Sequence, residues 1–308
     1  TLSGINISIT SSVAVITRIL TVLIVIIVVV LFMCYSFLKK RTPTTSTINK
    51  KIFYEELAKI EGYGKHYYLN QRTNYFHNIR RFGEIKREID GLDNMKFCVD
   101  CGCGEGQLLN VLSKKSNCAI GCDISFERLK IVKENMQNVN NIFLVCCDIN
   151  HLPFKEGSVD ALVCSEVIEH LEKDNKAISE MSSIIKKEGS IIITTPSRLS
   201  LRENALNVWN IMIYWYKKMS LDKEYEKHIT QHINLQTKKE IKDKFASTFY
   251  IKRLDIIGLY LPIFTELYFL IDNKMNNLIN SYLFLDKVIS TSKLNKFNHF
   301  ILYYGKKK

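Results

Sequence analysis

Three short apolar runs in this chain each end on an acid, and the first of them opens into alternate glycines. Phe97-Cys98-Val99-Asp100-Cys101-Gly102-Cys103-Gly104-Glu105-Gly106 is a strand-like segment that breaks into a glycine loop before helical spacing resumes. Glycine lets the backbone turn at positive φ and approach a ligand closely, because no Cβ intervenes. The D-x-G-x-G-x-G spacing departs from the G-x-G-x-x-G dinucleotide fingerprint, in which a helix N-terminus faces a pyrophosphate. A carboxylate beside the glycines repels a pyrophosphate and attracts a cation.

A cationic nucleoside such as S-adenosylmethionine fits that loop. Cys118 to Gly121 is a second apolar run that ends at Asp123, and Phe126 to Met136 follows with helical spacing. In a doubly wound sheet an acid at the end of strand two faces a ribose. Ile142 to Cys147 ends at Asp148, and Val159 to Cys164 ends just before Glu166. Any one of these acids could be a helix N-cap. Their alternation with helical segments favours a single crevice at the carboxyl ends of parallel strands, shared by Asp100, Asp123 and Asp148.

The second reactive constellation is Glu166-x-x-Glu169-His170, placed just after the fourth strand. If helical, Glu166 shares a face with Glu169 or with His170. Two carboxylates and an imidazole could hold a divalent ion that acidifies an acceptor hydroxyl. His170 could instead take a proton directly, with Glu166 beside it as the other catalytic candidate. A further ligand could come from His228 or His232 in His228-Ile229-Thr230-Gln231-His232. The competing readings are a hydrogen-bonded structural His170 and exposed loop histidines.

On these residues the chain resembles the class I S-adenosylmethionine-dependent methyltransferases, in particular the branch of ubiquinone-type O-methyltransferases and methyltransferase type 11 proteins. The motifs that carry the resemblance are Val99 to Gly106, Gly121-Cys122-Asp123-Ile124-Ser125, and Cys147-Asp148-Ile149 with Leu152-Pro153-Phe154. Glu166-Val167-Ile168-Glu169-His170-Leu171 and Ile191-Ile192-Ile193-Thr194-Thr195-Pro196 complete them. The match is strong from about 95 to 200 and weak in the flanks. It implies an α/β fold with a Rossmann-like, doubly wound, mostly parallel seven-stranded sheet and S-adenosyl-L-methionine as cofactor. Gly102, Gly104 and Gly106 would wrap the methionine part, Asp123 would hold the ribose, and Asp148 with Ile149 would frame the adenine. Asp100 and Ile124 belong to the same cofactor-binding set. The resemblance also implies that the E-x-x-E-H pattern serves a metal in some relatives, with Glu166, Glu169, His170 and His232 as the ligand set here and magnesium or another divalent ion as the cofactor. The chain departs from the pattern at Cys101 and Cys103, both small enough to leave the loop intact.

The elements that position these residues occupy part of a 308-residue chain. Residues 19–38 carry no charge. At ~1.5 Å per residue a helix of that length spans the ~30 Å hydrocarbon core of a bilayer, so the segment reads as a transmembrane helix. Lys39-Lys40-Arg41 follow at once and only Arg18 precedes. The positive-inside rule then places a single-pass protein with its catalytic domain in the cytoplasm. A signal peptide would need a basic start and a small-residue cleavage site. The expected organisation is a short segment 1–18, the helix 19–38, a basic linker 39–49, capping helices over 50–94 and a methyltransferase domain over 95–308. Inserts of that domain fall at about 197–248 and 257–298.

Nine cysteines sit mostly in apolar runs, which reads as buried free thiols in a reducing compartment rather than a disulfide framework. The net charge is +12. Basic doublets such as Arg80-Arg81 and Lys186-Lys187 suit the anionic cytoplasmic leaflet, while nucleic acid is the competing partner and solvated surface charge explains most of the rest. Val208 to Tyr216 and Leu259 to Ile271 are apolar-aromatic stretches within the two inserts. They could line an acceptor tunnel, lie on the membrane, or pack against each other as a lid.

The expectation from the sequence is therefore a membrane-anchored methyltransferase that O-methylates a lipid, isoprenoid or other apolar small molecule. The alternatives are a metal-assisted RNA 2'-O-methyltransferase and, from a different class, a non-catalytic cofactor-binding or scaffold protein.

Overall fold

A computed structural model describes residues 75–93, 95–200, 232–258, 288–289, 295 and 298–308. The expected transmembrane helix, the linker, the apolar stretches of both inserts and His228 lie outside the described residues. Among those described, no helix is long and apolar enough to cross a membrane.

The described elements alternate as the apolar runs predict. In chain order they are α1 (Tyr75–Asp90), β1 (Met95–Cys101), α2 (Leu109–Ser113), β2 (Ser116–Asp123), α3 (Phe126–Asn135), β3 (Ile142–Cys146) and β4 (Val159–Ser165). A 3-10 turn (Ile168–His170), α4 (Asp174–Ile184), β5 (Ile185–Pro196), α5 (Lys238–Ala246), β6 (Phe249–Ile257) and β7 (Phe300–Lys307) follow. The seven strands form one sheet in the order β3-β2-β1-β4-β5-β7-β6. The first five run parallel, but β7 is antiparallel to both β5 and β6. The sheet is thus mixed: mostly parallel, as the sequence led us to expect, with β7 as the antiparallel strand that the sequence did not single out. A run such as Phe300 to Tyr304 has the same apolar pattern in either direction, so its orientation is decided only when it enters between β5 and β6.

Both faces of the sheet are covered, which is why its central strands read as unbroken apolar runs. On one face Leu162, Ile191 and Ile193 pack with Ile178 and Met181 of α4 and with Ile241 and Phe245 of α5. On the other, Val163 and Ile192 pack with Ile85 and Ile89 of α1, Leu109 and Leu112 of α2, and Leu129 and Val132 of α3. Adjacent residues of one strand thus serve opposite layers, as a period of two requires.

Local signals set the helix starts that matter for the site. Ser125, two residues after Asp123, caps α3, its hydroxyl accepting from the Arg128 amide, so the helix begins at Phe126. Thr237 and Glu240 form a reciprocal capping box at the start of α5. This stops the preceding segment from joining the helix. That segment is held by a bridge between Ser197 and Gln236 and by the Arg198 amide donating to the Gln236 carbonyl.

Candidate active site

The glycine loop leaves β1 over the end of β2. The amides of Gly102 and Cys103 both donate to the Cys122 carbonyl, at 2.7 and 2.9 Å. Gly102 sits at φ 72, and a Cβ there would lie 2.3 Å from Cγ2 of Val167. Neither the angle nor the space admits another residue. Gly104 at φ 54 and Gly106 at φ 80 continue the turn.

Asp123 ties this loop to the next helix. One carboxylate oxygen accepts the Gly104 amide at 2.9 Å and the other accepts the Ser125 amide at 2.9 Å. A carboxylate offers about four lone-pair sites, so two such bonds orient it and leave capacity for a diol. Burial pushes the Asp123 carboxyl up, and the amides of Ser125 and Gly104 with the charge of Arg128 oppose that. Asp100, on β1 and only 2% exposed, is pushed up to about 7 by burial and then by the neighbouring Asp123. Two buried acids at the mouth of a glycine loop make an electronegative cradle for a cation. Asp148 is exposed and folded into a turn, with Oδ1 accepting the Asn150 amide at 2.8 Å. Ile149 packs on the core beside it, and Ile124 is half-buried. The buried cysteines of the loop, Cys101 and Cys103, are free thiols whose ionisation burial suppresses.

The second cluster lies past the end of β4. Glu169, His170 and His232 bring one ligand atom each within 4.8 Å of one another. Glu169 is fully buried, its Oε2 accepts the Thr195 hydroxyl at 3.2 Å, and among the described residues its Oε1 has no hydrogen-bond partner. That oxygen lies 3.9 Å from Nε2 of His170. The rings of His170 and His232 are 5.2 Å apart. The segment bearing His232 is anchored by Glu169 itself, whose carbonyl accepts the amides of Ile233 and Asn234 at 3.1 and 3.0 Å. Burial, then the charge of Glu166, pushes the Glu169 carboxyl up.

Glu166 stands apart from these three. It takes the left-handed conformation at φ 59, outside the 3-10 turn, so the shared helical face expected from sequence does not form. Its Oε2 pairs with Nη1 of Arg81 at 3.0 Å, and its Oε1 accepts the Thr194 hydroxyl at 3.1 Å. Arg81, from α1, also lies over the Phe300 ring at 4.8 Å. In sequence Arg80-Arg81 reads as surface charge, but the structure separates the two. Arg80 pairs with Glu84, whereas Arg81 is 9% exposed and reaches the carboxyl edge of β4. One signal was available: Arg81 precedes Ile85 and Ile89 at steps of four, on the buried stripe of the helix. Thr194 and Thr195, at the end of β5, belong to a motif quoted from the sequence, but their roles as donors to Glu166 and Glu169 were not read there.

Residues 99–193 match the family model for a methyltransferase domain. Over 148 residues the chain is 34% identical to an uncharacterized protein of Methanocaldococcus jannaschii, covering 47% of this chain and 60% of that one. It is 25% identical over 158 residues to the ubiquinone biosynthesis O-methyltransferase of Escherichia coli, covering 50% of this chain and 65% of the relative. The chain thus spans less than two thirds of the length of these curated relatives. Among solved structures, a chain from the complex of the Haloferax volcanii Trm112 methyltransferase activator with a methyltransferase superposes with a TM-score of 0.54 at 16% identity. That match covers 82% of this chain and 96% of the other, and it bears on the fold alone.

Proposed function

We propose that this chain, whose residues 99–193 match a methyltransferase-domain model, is a membrane-anchored S-adenosylmethionine-dependent enzyme that O-methylates an apolar small molecule. The observation that carries the cofactor assignment is the loop from Asp100 to Gly106 locked onto Asp123 through the Gly104 amide. In this reading Gly102, Gly104 and Gly106 surround the methionine part of S-adenosyl-L-methionine. Asp123 receives the ribose hydroxyls, with Ile124 beside it, and Asp148 with Ile149 borders the adenine. The raised pKa of Asp100 suits it to meet the cationic end of the cofactor, whose charge would draw it back to the carboxylate.

Methyl transfer is a displacement in line with the sulfonium. The acceptor oxygen forms a bond to the methyl carbon, the sulfur keeps the electron pair of the broken bond, and the oxygen's proton must leave. Alignment and exclusion of water supply most of the rate, and His170, beside the buried Glu169, is the group to take that proton. Glu169, His170 and His232 also suit a divalent ion, because the bare Oε1 of Glu169 faces two imidazoles. Such an ion would supply Lewis acidity to a hydroxyl bound there.

Three sequence features support the membrane and the acceptor class: the uncharged segment 19–38, the basic residues directly after it, and the apolar stretches of the two inserts. By the positive-inside rule the domain faces the cytoplasm. The metal-suited cluster and the net charge of +12 favour an RNA 2'-O-methyltransferase as the second reading.

The test is incubation of the full chain in detergent with methyl-radiolabelled S-adenosylmethionine and an extract of its own cells, with Asp100→Ala as control. Label in the organic phase that the variant loses supports the reading. Label in RNA replaces it with the second reading, and label in neither fraction overturns both.

A further inference from the structure

We propose that Arg81 and Glu166 form a receptor for an anionic oxygen group, carboxylate or phosphate, carried by the acceptor molecule. This rests on the methyltransferase reading only for calling the ligand an acceptor. A guanidinium held at 9% exposure beside the end of β4 is a costly feature for a helix that otherwise buries Ile85 and Ile89 on that stripe. Its ion pair with Glu166 runs from Nη1 to Oε2 at 3.0 Å, and the other Glu166 oxygen accepts the Thr194 hydroxyl, so the pair is not the two-pronged fork that arginine and a carboxylate often form. Among the described residues no second acceptor meets its N–H groups, and Phe300 lies under its flat face. The arrangement fixes the plane of the guanidinium and leaves donors in that plane.

Glu166 adds an independent observation. It holds φ 59, a conformation that costs a residue with a Cβ about 1–3 kcal/mol and that recurs at functional sites. The strained backbone is kept by its amide donating to the Thr194 carbonyl at 3.0 Å, and the side chain by the Thr194 hydroxyl, which also bonds Ser165. With the backbone in this conformation the carboxylate pairs with Arg81 and stays outside the Glu169, His170 and His232 cluster. Glu166 thereby orients Arg81 and competes with an incoming anion for it. Glu169, His170 and His232 lie along the same edge, so an acceptor gripped by its charge at Arg81 would present a neighbouring hydroxyl to them.

The probes are farnesyl phosphate, farnesoate, farnesol and inorganic phosphate, each titrated calorimetrically into the full chain with and without S-adenosylhomocysteine. The expected result is binding of one or both farnesyl anions at least about tenfold tighter than farnesol, as one charge-assisted pair predicts. Arg81→Gln removes that preference and Arg81→Lys keeps part of it. Glu166→Gln, which frees the guanidinium, tightens the anion several-fold and leaves farnesol unchanged. A pair that is merely structural gives the opposite sign for Glu166→Gln. Inorganic phosphate binding as tightly as farnesyl phosphate would assign the site to the free anion, and weaker binding assigns it to the charged head of an apolar molecule. Equal affinity for farnesol and both anions, or a preference that survives Arg81→Gln, overturns the proposal. Absence of S-adenosylhomocysteine binding with the anion preference intact would sink the methyltransferase reading alone.

Discussion

The proposed cofactor side of the crevice, at the ends of β1 to β3, and its proposed acceptor side, at the ends of β4 and β5, hold their carboxylates in different ways. Asp123 is satisfied by two main-chain amides, and Asp148 by an amide within its own turn. Among the described residues Glu169 keeps one oxygen without a partner, and Glu166 depends on a side chain 85 positions away and on a strained backbone. Main-chain donors come with the strand-loop-helix unit, so the cofactor side is prepared as soon as that unit folds. The acceptor side exists only once α1, β5 and the 232–236 segment have all docked. A generic cofactor suits the first construction, and a particular acceptor suits the second.

The largest way to break this division is at Gly102, where the two sides touch. Gly102→Ala puts a Cβ at 2.3 Å from Cγ2 of Val167 and forces positive φ on alanine. The combined cost is about 2–5 kcal/mol, and S-adenosylhomocysteine affinity by calorimetry should fall about a hundredfold or more. Adding Val167→Ala should restore part of that loss. No restoration would mean that the backbone angle alone matters and the sides are uncoupled there.

Asp123→Asn tests whether the cofactor side relies on charge. The Gly104 and Ser125 amides bind different oxygens, so the variant leaves only one of them an acceptor, and cofactor affinity should fall by about 1.5–3 kcal/mol, the worth of charge-assisted bonds. Unchanged affinity in the same titration would remove Asp123 from the ribose role.

Acidity gives a third test. Asp100 is raised in the folded chain to about 7, so below its unfolded value both states carry the proton. As pH rises from about 4 to about 7 the unfolded chain gives up that proton first, and the ligand-free protein loses stability through the window. Thermal melts should therefore show a decline that Asp100→Asn flattens. The cationic cofactor favours the ionised acid, so its stabilising shift should grow over the same range.

The acceptor side can be probed by metal. Manganese or magnesium should raise the melting temperature of the wild type by a few degrees, and Glu169→Gln should abolish the shift while altering metal-free stability little. Burial already keeps that carboxyl raised, so an amide replaces it at low cost. A shift that survives the substitution would place the ion elsewhere. The smallest effect belongs to Thr237→Ala, which removes the capping box after the 232–236 segment and should cost about 1 kcal/mol in denaturant melts.

Legibility followed the same boundary. The strand ends at Asp100 and Asp123, the helix after Ser125 and the helix after Thr237 could all be read from short stretches, because each depends on contacts within a few residues. Glu166 was placed near Glu169 by the sequence but not in its conformation, since spacing suggested a common helical face and the backbone took a left-handed turn instead. Arg81 was hidden inside a basic doublet, although its place on an apolar stripe marks it in hindsight.

The sequence by itself determined the cofactor loop, the acids that flank it and the alternation of strands and helices, because local backbone preferences and period-two burial are written in consecutive residues. Only the tertiary structure decided the antiparallel entry of β7, the pairing of Arg81 with Glu166 and the meeting of Glu169 and His170 with His232. These depend on contacts between residues distant in the chain. Such contacts are selected by which surfaces can be buried together, and no local pattern records that choice.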